Sequence, residues 1–182
     1  MKKVVILASG SGTLARAIFT AEKNYEVAAL VCDQPSAKVI GIANEFGIKV
    51  ELLELGQDRA NWNQELLKLV SNYQPDLVIS AGFMRILAPQ FVTNFKTINS
   101  HPSLLPLFPG AHAVRDALAA GAVETGTTIH WVDEGIDTGK VIAQQRIAIK
   151  ANETEESLHE RIKIIERGLI VATIPQILAE LK

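Results

Sequence analysis

Short apolar runs alternate along the chain with segments whose apolar positions recur at the period of an α-helix. This alternation is typical of βαβ proteins with a mainly parallel sheet. The apolar runs predict strands at Lys3–Ala8, Glu26–Cys32, Ile48–Leu53, Leu77–Ser80, Thr97–Asn99, Gly126–Val132 and Val141–Ile149. The helical segments between them are predicted at Thr13–Lys23, Ser36–Phe46, Arg59–Tyr73, Ala88–Asn94 and His112–Ala120.

A long amphipathic stretch follows Asn152 and runs to Lys182. The Asn152 side chain is expected to cap the start of this helix, and Glu155, three residues later, to make the reciprocal hydrogen bond of a capping box. Pro175 lacks an amide hydrogen, so a break or kink is expected before it.

The chain changes style near Thr97, where regular alternation gives way to a Pro-rich segment, 102–109, and two final strands joined by the loop 133–139. We expect an α/β, Rossmann-like three-layer domain over residues 1–182, with a mostly parallel sheet and a late antiparallel strand pair. In such sheets ligands bind beyond the carboxyl ends of the strands.

Composition narrows the class of protein. The chain has 182 residues, a formal net charge of −2 and a single cysteine, Cys32, so an intrachain disulfide and a Cys-built zinc site are excluded. The sequence has no basic cluster of the kind that binds nucleic acid, and no apolar run reaches the roughly 18 residues of a membrane span. We therefore expect a cytoplasmic protein that acts on small molecules. Composition leaves its oligomeric state, monomer or homodimer, open.

A glycine turn, Ser9-Gly10-Ser11-Gly12-Thr13, joins the first strand to the first helix. Its backbone N–H groups and the positive helix end can face a phosphate. The spacing Gly10-x-Gly12-x-x-Ala15, with Asp33 ending the second strand, also fits a dinucleotide site, and the glycines could equally form only a tight turn. No Gly-Lys-Ser/Thr follows, so a P-loop triphosphatase is excluded.

A polar cluster ends the fifth strand. Strand alternation points Asn99 and His101 to the same face, and an amide beside an imidazole suits the stabilisation of negative charge on a carbonyl oxygen. Asp137 lies in the later loop, from which its carboxylate can favour the charged imidazolium or accept a proton. The alternatives are a histidine hydrogen-bonded in a turn and an ordinary Asp-Thr-Gly turn.

The run Asn99-Ser100-His101-Pro102-Ser103-Leu104-Leu105-Pro106, preceded by Ala-Gly-Phe-Met-Arg-Ile-Leu at 81–87 and followed by the loop 133–139, resembles the folate-dependent formyltransferases over essentially the whole chain. Within this family, the Phe-Pro-Gly-Ala-His motif at 108–112 and the short length of the chain resemble those of the branch that formylates glycinamide ribonucleotide. Methionyl-tRNA formyltransferases carry a further domain after this one and formyltetrahydrofolate deformylases a regulatory domain before it. We expect neither extension here.

The resemblance implies formyl transfer from 10-formyltetrahydrofolate as co-substrate, without a metal, in purine synthesis. It implies Asn99, His101 and Asp137 as catalytic residues. It places the nucleotide substrate at Ser11, Gly12, Thr13, Leu14, Arg59, Met84, Pro102 and Glu166. It places the folate at Arg85, Ile86, Leu87, His130, Val132 and Asp133.

Two positions depart from the family pattern. Leu14 stands where many members have Asn, so backbone amides with Ser11 or Thr13 must hold the phosphate, and Asp133 stands where Thr is commoner. The competing functions are an NAD-dependent oxidoreductase using the glycine turn, another folate-dependent formyltransferase or deformylase, and a catalytically silent binding module.

Overall fold

A central sheet of seven strands organises the molecule, which a computed structural model describes for residues 1–22 and 24–181. The strands are β1 Lys2–Ala8, β2 Tyr25–Cys32, β3 Val50–Leu52, β4 Leu77–Ser80, β5 Thr97–His101, β6 Glu124–Trp131 and β7 Val141–Ala148. The helices are α1 Thr13–Thr20, α2 Lys38–Glu45, α3 Arg59–Ser71, α4 Pro89–Asn94, α5 Ala113–Ala119 and α6 Glu155–Glu180.

The sheet order is β3-β2-β1-β4-β5-β6-β7. Strands β1 to β5 are parallel, whereas β6 runs antiparallel to β5 and to β7. The expected α/β class, with a mostly parallel sheet and a late antiparallel pair, is therefore confirmed. That residues 1–182 form one domain stays a prediction.

Helices cover both faces of the sheet. Alternate residues of a strand point to opposite sides, and in the buried strands both sets are apolar, so both faces must be covered. In β1, Val4 and Ile6 pack with apolar residues of α1 and α6, while Val5 and Leu7 pack with apolar residues of α3 and α4. All four of these side chains are fully buried. The three-layer arrangement thus follows from strands that are apolar on both faces.

The last helix begins and ends differently from the prediction. Its N-cap is Thr154, whose side chain accepts a hydrogen bond from the Ser157 amide at 3.2 Å. Asn152 is not the cap because it adopts a left-handed conformation, φ 56°, in the preceding turn, whereas an N-cap needs extended backbone. The predicted Lys182 end lies outside the described residues.

The helix α6 also continues through Pro175, so the expected break does not occur, and a kink at this position stays a prediction. Pro175 removes one backbone hydrogen bond. The apolar face around it, with Ile170, Ile174 and Ile177 buried against the sheet, holds the helix in place. Tertiary packing outweighs the local cost of the proline.

Other boundaries differ by a few residues. The first helix ends at Thr20, and its predicted end, Lys23, lies outside the described residues. Strand β5 extends two residues beyond its predicted end, to His101, so the Asn99 and His101 backbones both belong to the sheet. This extension fixes the direction of both side chains.

Candidate active site

The polar end of β5 lies against β6. Because the two strands are antiparallel, Asn99 is opposite His130 and His101 is opposite Thr128. Residues that face each other in this way project from the same side of the sheet. Two histidines and an amide therefore meet at the carboxyl end of β5, with both imidazoles buried.

Asp137 lies between the two imidazole rings. Its Oδ2 is 3.3 Å from His101 Nδ1, and its Oδ1 is 3.5 Å from His130 Nε2. The Gly110 amide also donates to Oδ2 at 2.8 Å. The loop after β6 therefore reaches over β5, as the family resemblance implied, and brings Asp137 to His101.

Backbone carbonyls hold the far side of each ring. The Phe108 carbonyl is 2.8 Å from His101 Nε2, and the Trp131 carbonyl is 2.9 Å from His130 Nδ1. A carbonyl only accepts, so each of these ring nitrogens carries a hydrogen. Asp137 consequently faces the nitrogen of each ring that gains a proton when the histidine becomes charged.

The environment of Asp137 keeps it ionised. Burial raises its pKa, but the His130 hydrogen bond, the Gly110 amide and the charges of both histidines outweigh burial and lower the pKa from 3.8 to about 2. A carboxylate with so low a pKa is a weak proton acceptor near neutral pH. Its chemical contribution is negative charge beside His101.

His130 also contacts the amide of Asn99, since Nδ2 of Asn99 lies 3.4 Å from His130 Nε2. The resemblance placed His130 near the folate and did not connect it to the catalytic residues. Strand alternation through Thr128 and His130, together with the antiparallel register, is the signal that reveals this contact.

The glycine turn opens α1 as predicted, yet Gly12 is needed for a reason that the sequence does not disclose. Gly12 has φ 74°, and a Cβ on it would lie 2.8 Å from the Val39 Cα of α2. The Leu14 side chain is buried, whereas Ser11 and Thr13 are exposed. The backbone amides of the first helical turn, which have no partner within a helix, remain the groups suited to a phosphate.

The turn after β4 lies beside the glycine turn. The Ser9 amide donates to the Gly82 carbonyl at 3.1 Å, and the Met84 amide donates to Ser9 Oγ at 2.9 Å. These two turns therefore lie together at the carboxyl ends of β1 and β4. The side chains of Met84 and Ile86 are 73% and 61% exposed, so apolar groups face outward at this edge.

Two arginine side chains, those of Arg85 and Arg59, hold the segment that follows this turn in place. Nε of Arg85 donates to Asp33 Oδ2 at 2.5 Å, and the Arg59 guanidinium donates to the Ile86 carbonyl. Leu87 is buried against α3 and α4. The paired Asp33 carboxylate is only 1% exposed, so it is not available to a ribose as the dinucleotide interpretation required.

Glu166, on α6, accepts a 2.6 Å hydrogen bond from Ser100 Oγ. Burial raises the pKa of Glu166, and the Ser100 hydrogen bond opposes that rise. Ser100 lies between Asn99 and His101 on β5 and therefore points to the opposite face of the sheet. Sequence reasoning missed this contact because 66 residues separate its partners.

The remaining predicted residues lie around the same strand ends. Pro102 directly follows β5 and is half-buried, and the Val132 amide donates to the Thr97 carbonyl at 2.8 Å. Asp133 Oδ1 accepts from the Gly135 amide and from Thr138 Oγ1, at 3.1 and 2.7 Å. The Asp133 side chain thus closes its own loop.

Among the described residues, no group of three or more His, Cys, Asp or Glu side chains is arranged to hold a metal ion.

Comparisons with known proteins identify the family of this chain. The profile of the family described as Formyl transferase matches residues 2–174. This chain belongs to the formyl transferase family. A curated phosphoribosylglycinamide formyltransferase from Mycobacterium tuberculosis is 44% identical over 94% of this chain and 83% of its own. Its counterpart from Bacillus subtilis is 39% identical over 98% of this chain and 95% of its own.

Solved structures of this formyl transferase family share the fold. A glycinamide ribonucleotide transformylase from Geobacillus kaustophilus superposes with a TM-score of 0.92 at 40% identity, covering 98% of this chain and 99% of that one. A transformylase from Symbiobacterium toebii gives a TM-score of 0.95 at 31% identity, covering 98% and 88% of the two chains. No helix in the described residues is long and apolar enough to cross a membrane.

Proposed function

We propose that this chain transfers the formyl group of 10-formyltetrahydrofolate to the amine of glycinamide ribonucleotide in purine synthesis. The observation that carries the proposal is the arrangement of Asn99 and His101 on one face at the end of β5, with the Asp137 carboxylate 3.3 Å from His101. The phosphoribosylglycinamide formyltransferases that match nearly the whole chain support the same reaction.

In the reaction, the neutral amine attacks the formyl carbon and negative charge gathers on the formyl oxygen. Asn99 Nδ2–H and a His101 N–H donate to that oxygen and stabilise the charge. The bond from the formyl carbon to folate N10 then breaks. The proton that the amine loses balances the one that N10 gains, so the products are the formylated amine and tetrahydrofolate.

Asp137 serves this reaction through charge. Its pKa of about 2 leaves it ionised at any working pH, so it stabilises the His101 imidazolium, which is a stronger hydrogen-bond donor than a neutral ring. His101 Nε2–H donates a hydrogen bond to the Phe108 carbonyl oxygen at 2.8 Å. For Nε2–H to donate to the formyl oxygen, its hydrogen bond to Phe108 must be shared with that oxygen or broken.

The substrates would occupy the two sides of this cluster. The nucleotide phosphate would lie on the backbone of Ser11, Gly12, Thr13 and Leu14, and the rest of the nucleotide near Arg59, Met84, Pro102 and Glu166. The folate would lie against Arg85, Ile86, Leu87, His130, Val132 and Asp133. The exposed apolar side chain of Ile86 suits the aromatic ring system of the folate.

A turnover assay tests the proposal. Tetrahydrofolate release is followed with 10-formyltetrahydrofolate, with and without glycinamide ribonucleotide, and the formylated nucleotide is identified by mass spectrometry. We expect release only when the nucleotide is present. Release of equal rate without it would indicate a deformylase, and tight NADH binding without formyl transfer would favour the oxidoreductase. We further propose that the protein works in the cytoplasm on these small molecules.

A further inference from the structure

Asp33 is a buried carboxylate that the proposed reaction does not use. It directly follows β2, and its side chain is 1% exposed. Oδ2 accepts the 2.5 Å hydrogen bond from Arg85 Nε, and Oδ1 has no hydrogen-bond partner in the part of the chain that the structure describes. Burying a carboxylate is costly unless a charged partner compensates for it, so the Arg85 pair is the feature that makes this position tolerable.

The pair acts on a segment with no regular structure of its own. Residues 84–87, between β4 and α4, are held by side chains from three other parts of the chain. Ser9 accepts from the Met84 amide, Arg59 donates to the Ile86 carbonyl, and Asp33 holds Arg85. Of these three supports, the Asp33 pair is the only charge-to-charge contact and the most deeply buried.

We propose that Asp33 is a positioning residue for the formyl donor, which acts by fixing Arg85 and through it the backbone of segment 84–87. This inference rests on the proposed function, because residues 85–87 of that segment form part of the proposed folate site. The Arg85 side chain is 24% exposed, so it links a buried anchor to the surface on which the donor would lie. A contact to a charged group holds a loop more firmly than a neutral one.

The test replaces Asp33 with asparagine, which keeps the shape and removes the charge. Loss of a charged hydrogen bond corresponds to about a ten- to a hundredfold change in an equilibrium constant. We therefore expect Asp33→Asn to raise the KM for 10-formyltetrahydrofolate, and the Kd for tetrahydrofolate measured anaerobically by calorimetry, by about tenfold or more. The KM for the nucleotide should change by less than about twofold, because the nucleotide is not bound by this segment alone.

A second variant separates positioning from general destabilisation. Asp76→Asn removes a carboxylate that pairs with Lys2 Nζ at 2.9 Å. Asp76 directly precedes β4, so it lies at the amino end of that strand, away from the carboxyl ends where the site lies. This variant should lower the melting temperature without changing the Kd for tetrahydrofolate. In the background of Arg85→Gln, Asp33→Asn should add no further loss, because its effect passes through Arg85.

The outcomes are separable. An equal rise of both KM values, or an undiminished effect of Asp33→Asn beside Arg85→Gln, would overturn the positioning role. Wild-type protein that fails to transfer formyl would overturn the proposed function, while the Kd for tetrahydrofolate still reports on Asp33. Wild-type protein that neither transfers formyl nor binds tetrahydrofolate would overturn both.

Discussion

Replacing Asp137 with asparagine tests the proposed electrostatic role of the loop carboxylate. The change keeps the shape and removes the charge that lies 3.3 Å from His101 and 3.5 Å from His130. The neutral amide no longer stabilises the His101 imidazolium. Two opposite charges at this distance attract each other by up to about 4 kcal/mol at an effective dielectric constant of about 20, and losing about 1.5–3 kcal/mol of this attraction predicts a kcat lower by about ten- to a hundredfold.

The same carboxylate contributes to stability, and the sign follows from its titration. Its pKa falls from 3.8 to about 2 on folding, so its contribution is present above about pH 4 and is lost as the pH falls through about 2. The difference amounts to about 2 kcal/mol. Urea unfolding at pH 7 should find Asp137→Asn less stable by about that amount, and the difference from wild type should vanish near pH 2.

The assay measures kcat against pH for wild type, Asp137→Asn and Glu134→Gln, an equivalent loss of charge at an exposed position of the same loop. Asp137 is ionised at every pH used, so its own protonation should produce no acid limb between about pH 5 and 9. A normal kcat for Asp137→Asn would show that the residue only shapes the turn.

Three further substitutions probe the rest of the site. Asn99→Ala should lower kcat by about a hundredfold or more with little change in either KM, since it removes a donor used in the transition state; steady-state kinetics check this. Ser100→Ala should raise the nucleotide KM by up to about tenfold while leaving the donor KM unchanged, because Glu166 loses its 2.6 Å donor; a rise in both would contradict it. Gly12→Ala should lower the melting temperature, since its Cβ would press into α2, whereas Gly10→Ala, with open space around it, should not.

The sequence predicted the parts of the fold that depend on local pattern. Strand alternation and helical period located every element to within a few residues, because apolar periodicity is imposed by the faces that each element buries. It failed at the start of α6, where Thr154 rather than Asn152 is the cap. Both residues are good caps, and only the left-handed backbone of Asn152 decides between them.

The site was predictable where it lies on a single strand and not where it depends on long-range contacts. Asn99 and His101 are two residues apart, so their common face follows from alternation alone. The Asp33 pair with Arg85 joins residues 52 positions apart, and its formation removes the free acid that the dinucleotide interpretation needed. Nothing in the local sequence distinguishes an acid that meets a ribose from one that meets an arginine.

Strand β5 divides two proposed tasks between its faces. Asn99 and His101 point toward the Asp137 loop, where the chemistry would occur, while Ser100 points to α6 and holds Glu166 on the nucleotide side. A shift of β5 by one residue would exchange these faces and destroy both arrangements. The antiparallel pairing with β6 keeps this register, because His130 lies opposite Asn99 and contacts it. The late antiparallel pair therefore does more than extend the sheet: it supplies His130, carries the loop of Asp137, and fixes the side to which each residue of β5 points.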